Sequence, residues 1–81
     1  VKRLEKNQRG VAYMSKLIND LVGKQCIIRS EFIFSFAGKT ELSCKIIDAD
    51  DEWIKICYTE KKDKQVVKLM RIENIESIEE Q

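Results

Sequence analysis

ELSCKIIDADDEWIKICY, residues 41–58, gives the clearest structural signal in this 81-residue chain. Ile54, Ile56 and Tyr58 alternate with more polar residues, a period of two that is typical of a half-buried strand. The segment before the acidic residues alternates in the same way, and the extra apolar Ile47 predicts a bend or bulge there. Because Asp side chains bond nearby backbone groups, the acidic residues between the two segments predict a hairpin loop.

Patterns of apolar residues on both sides of this segment predict a mainly β domain. Residues 16–22 carry apolar side chains at helical spacing, with Ser15 as N-cap and Gly23 at the C-terminal end, which predicts a short N-terminal α-helix. Isoleucines at every third position near the end of the chain predict a 3₁₀ turn before the last strand. We predict five strands, at residues 24–30, 40–47, 52–59, 65–70 and 76–79. Five short, strongly bent antiparallel strands of this size close into a small barrel. The predicted core comprises Leu21, Ile28, Cys44, Ile54, Ile56, Leu69 and Ile75.

The segment 31–39 is ambiguous. It is apolar and rich in residues that favour strands, and a turn at Gly38 ends it. Either the first strand continues through it, or it is a long loop with exposed aromatic side chains. Alternation would place Phe32, Phe34 and Phe36 on one face. If exposed, these three side chains would form a protein-interaction surface.

The first 14 residues have a different composition from the rest. They are charged and lack periodicity, so we expect a flexible or loosely helical arm at 1–14 and one domain at 15–81. An alternative is that translation starts at Met14. The formal net charge of the chain is only +1; this arm has four basic residues and one acidic residue, so the rest of the chain is slightly acidic, with eleven basic (15 − 4) and thirteen acidic (14 − 1) residues. The basic residues of the arm are Lys2, Arg3, Lys6 and Arg9.

Several function classes are disfavoured by the composition. The chain has no His and no Cys-x-x-Cys, so a zinc site is not expected, and no constellation of residues predicts catalysis. We therefore predict a protein that is not an enzyme and needs no cofactor. Its three cysteines cannot all pair internally, and buried free thiols fit a reducing cytoplasm. No apolar run is long enough to span a bilayer.

The order of these elements resembles the Sm-like family and, more loosely, other SH3-like barrels, especially small bacterial Sm-like proteins. Six features of the sequence match. They are Leu21-Val22-Gly23-Lys24 after the helix, the strand Cys26-Ile27-Ile28, the Gly38 turn, Cys44-x-x-Ile47-Asp48, Trp53-Ile-Lys-Ile, and Leu69-Met-Arg-Ile-Glu-Asn-Ile.

The resemblance implies an RNA-binding ring. In this family the fourth strand pairs with the fifth strand of a neighbouring subunit, and RNA binds at the central pore. The nearest equivalents of the pore residues here are Asp48, Trp53 and Arg71, to which the basic arm would add affinity. The usual Asn is missing from the loop after the second strand, and Ile72 follows Arg71 where the family has Gly. The alternative is a protein-interaction or structural barrel that binds no nucleic acid.

Charged clusters have plainer explanations. The carboxylates at positions 48 and 50–52 lack the spacing of a calcium loop, so we favour a solvated turn over a metal site. Lys61, Lys62 and Lys64 alternate with acidic residues, which favours a soluble hairpin tip over a phosphate site. Arg71 is equally well suited to a ligand and to an ion pair with Glu73 or Glu76.

Overall fold

The computed structural model describes residues 3–5 and 16–81, in which six antiparallel strands form one sheet. In chain order the strands are β1 (Arg3–Glu5), β2 (Gln25–Arg29), β3 (Glu41–Ala49), β4 (Trp53–Thr59), β5 (Gln65–Arg71) and β6 (Ser77–Glu80). Across the sheet their order is β1-β6-β2-β3-β4-β5, so that the last strand lies between the first and the second.

The five predicted strands correspond to β2 through β6, with every boundary within two residues of its predicted position. The predicted bulge is confirmed, because the register of β3 against β4 shifts between Ile46 and Asp48, with Ile47 as the extra residue. The predicted 3₁₀ turn is also confirmed and spans Ile72–Asn74. A second 3₁₀ turn, Lys61–Asp63, joins β4 to β5.

The prediction of a closed barrel is wrong for the described residues. β1 and β5 are the two edges of the sheet, and they do not pair with each other. Closure would bury the inner face of the sheet, but helical and turn segments already cover part of that face. Ile18 and Leu21 from the N-terminal segment and Ile33 from a second helix belong to the same buried cluster as the strand residues.

The N-terminal helix is shorter than predicted within the described part of the chain. Residues 16–19 are helical and are called α1 here, residues 20–23 form turns, and the predicted cap Ser15 lies outside the described residues. Gly23 ends the segment with φ of +88°, as predicted. Its N–H donates to the carbonyl oxygen of Ile46 at 2.6 Å, which fixes the segment to β3.

Neither prediction for residues 31–39 is right, because Glu31–Ala37 is an α-helix, called α2 here. Ser30 caps it by accepting a hydrogen bond from the N–H of Phe32 at 3.1 Å. Gly38 ends it with φ of +74°, and the Gly38 N–H bonds to the carbonyl oxygen of Phe34. The helix buries Ile33, which alternation placed opposite the phenylalanines.

Six of the seven predicted core residues are buried, and Leu69 is not. Along β5, Val66 and Lys68 are half-buried and Met70 is buried, whereas Val67 and Leu69 between them face solvent. The error has a simple cause: this strand carries apolar residues in both phases of its alternation, so the pattern does not identify the inner face.

Part of the predicted flexible arm is a strand. Arg3–Glu5 pairs with β6 in the register Arg3↔Glu79, Leu4↔Ile78 and Glu5↔Ser77. The rest of the arm lies outside the described residues. Within the described part, no helix has the length and apolar content needed to cross a membrane.

Candidate interaction surface

The edge strand β5 has an apolar outer face. Opposite residues of an antiparallel pair share a face, so the register Lys55↔Leu69 and Cys57↔Val67 places all four side chains on the outer side of the sheet. Val67 is 54% exposed and Leu69 is 55% exposed. Apolar side chains this exposed on an edge strand favour pairing with another chain.

Two hydrogen bonds at the ends of β5 show which of its backbone groups point toward β4 and which point to the open side. The N–H of Glu60 donates to the carbonyl oxygen of Lys64 at 2.7 Å. The N–H of Ile72 donates to the carbonyl oxygen of Glu52 at 2.8 Å. In an antiparallel ladder, hydrogen-bonded residues alternate with residues whose N–H and C=O point the other way. The even-numbered residues of β5 therefore bond to β4. In the described part of the chain, no strand pairs with the other side, toward which the N–H and C=O of Gln65, Val67, Leu69 and Arg71 point.

One feature of β5 limits indiscriminate edge pairing. Lys68 is in the inward phase of the strand, and inward charges on edge strands discourage aggregation. Its ammonium lies 4.0 Å from the ring centroid of Phe36 on α2, a cation–π contact. The charge is thus held against the helix, and the outer face of β5 remains apolar.

Trp53 and Arg71, two of the three residues predicted for the RNA-binding pore, face each other across β4 and β5. The guanidinium carbon of Arg71 lies 5.4 Å from the centroid of the Trp53 ring, and Trp53 is 40% exposed. Arg71 also pairs with two carboxylates, at 3.6 Å from Glu52 and 2.9 Å from Glu73. Of the alternatives that the sequence left open for Arg71, the ion pair with Glu73 is present, so carboxylates already offset part of its charge.

Asp48 lies beside this pair. Asp48, Trp53 and Leu69 border one shallow depression on the outer face, so the structure brings together the Asp48 and Trp53 predicted for RNA binding. Asp48 is exposed, and one of its carboxylate oxygens accepts a hydrogen bond from the N–H of Ala49.

The acidic loop between β3 and β4 is organised by Asp50. Its carboxylate accepts hydrogen bonds from the N–H groups of Trp53 at 2.7 Å and Glu52 at 2.8 Å. These bonds lower the pKa of Asp50 below its usual value, because they stabilise the charged form. Within the described residues, no three His, Cys, Asp or Glu side chains are placed to hold a metal ion.

The three phenylalanines do not share one face, because the segment is helical. Phe32 and Phe36, one turn apart, have ring centroids 5.7 Å apart, and Phe36 lies at the same distance from Tyr58. Phe34 is 62% exposed on a different side of the helix. The three side chains therefore do not form the single aromatic surface that alternation predicted.

The packing of α2 creates a cleft that the sequence did not predict. It has a volume of about 480 Å³ and is lined by Phe36, Leu42 and Tyr58, with Lys39 and Lys61 at its border. Burial and the nearby Glu60 carboxylate raise the pKa of the Tyr58 hydroxyl. The cleft exists because residues 31–37 are helical. In the sequence, the signals for this helix are its two capping residues, Ser30 and Gly38.

The basic residues predicted to add affinity belong to the N-terminal arm. Lys2, Lys6 and Arg9 lie outside the described residues, and Arg3 is described only through its place in β1. At the β4–β5 turn, Lys62 and Asp63 adopt left-handed backbone conformations.

Comparison with known proteins gives no relative: no family model, curated protein or solved structure matches this chain.

Proposed function

We propose that this protein is a non-catalytic β-sheet module that associates with other copies of itself through β5. One observation carries the proposal: the open edge of this seven-residue strand combines backbone groups that pair with no strand of the described residues with the exposed side chains of Val67 and Leu69. Edge strands with these properties are templates for strand addition. A small core adds support, because short chains gain stability from association.

A ring of the kind implied by the Sm-like resemblance needs a different arrangement. There, the fourth strand pairs with the last strand of a neighbour. Here β6 pairs with β2 on one side, and β1 covers Ser77, Ile78 and Glu79 on the other. In every copy β6 is therefore paired on both sides, and β5 of a neighbour can pair with it only if β1 is displaced. The proposed association through β5 does not require a ring.

Mass in solution tests the proposal. Sedimentation over a concentration series should give a species heavier than one chain, and Leu69→Lys should shift it to the mass of one chain. Lysine at this exposed outer position blunts the edge without disturbing the core. Phe34→Lys is the matched control, because Phe34 is equally apolar and exposed but lies on α2. A single-chain mass for the unsubstituted protein at every concentration, or dissociation only by Phe34→Lys, would refute the proposal.

RNA binding in the cytoplasm is the second candidate function, and the contact between Trp53 and Arg71 favours it. An exposed aromatic ring beside a guanidinium is a stacking platform for a base and a site for a phosphate. The pairing of Arg71 with Glu52 and Glu73, and the carboxylates of the adjoining loop, oppose phosphate binding. We therefore expect binding in the micromolar range or weaker, and loss of affinity as salt rises.

Titration of the single tryptophan tests this candidate. Stacking of a base on Trp53 should quench its fluorescence when uridine-rich or adenine-rich RNA is added at low salt, and Arg71→Ala should abolish the change. Lys45→Ala, which removes an exposed cation from β3, is the control and should bind as the unsubstituted protein does. No quenching and no gel shift at low salt, or equal binding by Arg71→Ala, would eliminate RNA binding at this surface.

A further inference from the structure

We infer that two copies join as a closed, twofold-symmetric pair in which β5 runs antiparallel to β5 of the partner copy, with Lys68 at the axis. This inference rests on the proposed self-association and specifies its partner, symmetry and register. In this register, the numbers of any two residues that face each other across the pair sum to 136. Val67 faces Leu69 of the partner copy, Val66 faces Met70, and Gln65 faces Arg71.

The backbone groups on the open edge favour this register. Gln65, Val67, Leu69 and Arg71 point their N–H and C=O outward, so an antiparallel partner must place its own outward-pointing residues opposite them. Centring on Lys68 pairs these four residues completely among themselves. It also keeps both outer faces on the same side of the extended sheet, because only residues of the same phase oppose each other.

The neighbouring registers that obey the same rule are worse. Centring on Val67 places Asp63 opposite Arg71 of the partner, but Asp63 has φ of +60° and cannot continue a strand. Centring on Leu69 places Gln65 opposite residue 73, which lies in the 3₁₀ turn Ile72–Asn74. Both shifts leave outward backbone groups unpaired, which costs free energy wherever water is excluded.

Side chains on the outer face support the same choice. With Lys68 at the axis, each exposed Val67 contacts an exposed Leu69 from the other copy, so the most exposed apolar side chains of the strand cover each other. The alternative partner for β5 is β1 of another copy. That strand has only three residues, and such a head-to-tail contact forms a ring or an open chain of copies instead of a twofold-symmetric pair.

The proposed register has one unfavourable contact, and it makes the inference testable. Lys68 and its symmetry mate stand opposite each other, although each ammonium lies against Phe36 of its own chain. Like charges opposite each other weaken strand pairing. Removing the charge with Lys68→Thr should therefore tighten the dimer about two- to five-fold. Added salt should strengthen the unsubstituted dimer by screening the same repulsion.

Cysteine cross-linking locates the axis directly. The background is Cys57→Ser, which removes the half-exposed thiol and keeps the buried Cys26 and Cys44. Single cysteines are then placed at positions 67, 68 and 69 and oxidised with diamide. Residues directly opposite in a non-hydrogen-bonded antiparallel pair have Cα atoms about 4.5 Å apart, which suits a disulfide. Lys68→Cys should therefore give the highest yield of covalent dimer.

The matched control is Gln65→Cys on the same strand. In the proposed register the two cysteines at position 65 are six residues out of line, about 20 Å apart, and should not cross-link. A maximum at position 67 or 69, or an efficient cross-link at 65, would overturn the register while leaving self-association intact. No cross-link at any position in a protein that sediments as a dimer would place the contact away from β5. A protein that sediments as a single chain would instead refute the proposed function.

Discussion

Ile56 is the residue whose truncation tests the packing most severely. Its side chain is fully buried, at the centre of β4, between Ile46 on β3 and Lys68 on β5. Ile56→Ala removes three buried carbon atoms and leaves a cavity that the surrounding strands cannot close, which costs about 2–5 kcal/mol. At roughly 0.05–0.15 kcal/mol per residue, a chain of this length has a total stability of about 4–12 kcal/mol. The substitution should therefore remove a large part of the free energy of unfolding.

Urea denaturation at low protein concentration measures this loss. The midpoint should fall strongly while the slope of free energy against urea stays constant. Leu69→Ala is the control, since its side chain is more than half exposed, and it should change the free energy of unfolding by no more than about 0.5 kcal/mol. Equal losses for the two variants would refute the assignment of the inner and outer faces of the sheet.

Three further predictions concern individual side chains. Ser30→Ala should lower stability by about 1–3 kcal/mol in urea denaturation, because the buried hydroxyl both caps α2 and donates to the carbonyl oxygen of Asn74. An unchanged midpoint would show that these bonds contribute nothing. The lowered pKa of Asp50 means that its carboxylate contributes stability that is fully present above the usual value of 3.8 and is lost as pH falls through the lower, folded value. The advantage of the unsubstituted chain over Asp50→Asn should therefore disappear in strong acid, and a constant difference at all pH values would contradict this account. Burial raises the pKa of the Cys44 thiol to about 12, so a thiol reagent at neutral pH should modify the half-exposed Cys57 first, with Cys57→Ser abolishing the rapid phase; rapid loss of Cys44 would contradict its burial.

The β-hairpins were predictable because their sequences carry local signals. Ile54, Ile56 and Tyr58 alternate cleanly, and in the Asp-rich loop that precedes them the Asp50 carboxylate accepts a backbone hydrogen bond. The doubled position at Ile47 indicated the bulge for a similar reason. The facing of Trp53 and Arg71 follows from the hairpin register once both strands are placed.

Other features depend on tertiary contacts that local patterns do not contain. The residues of α2 favour strands by intrinsic preference, and the helix forms because Ser30 and Gly38 cap its ends and Ile33 enters the core. The exposure of Leu69 depends on which phase of β5 meets the core, and the inward Lys68 is accommodated by Phe36, whose ring centroid lies 4.0 Å from its ammonium. β1 has three residues and no periodicity, so only its pairing with β6 defines it.

Hydrogen exchange at individual amides of β5 tests the central claim most directly. The N–H groups of Val67 and Leu69 point to the open edge, whereas those of Val66 and Lys68 point toward β4. At low concentration Val67 and Leu69 should exchange fast and their neighbours slowly. As concentration rises and copies pair through β5, the exchange of Val67 and Leu69 should slow by the same factor, while Val66 and Lys68 change much less. Fast exchange of Val67 and Leu69 at every concentration would contradict the assignment of β5 as the interaction surface.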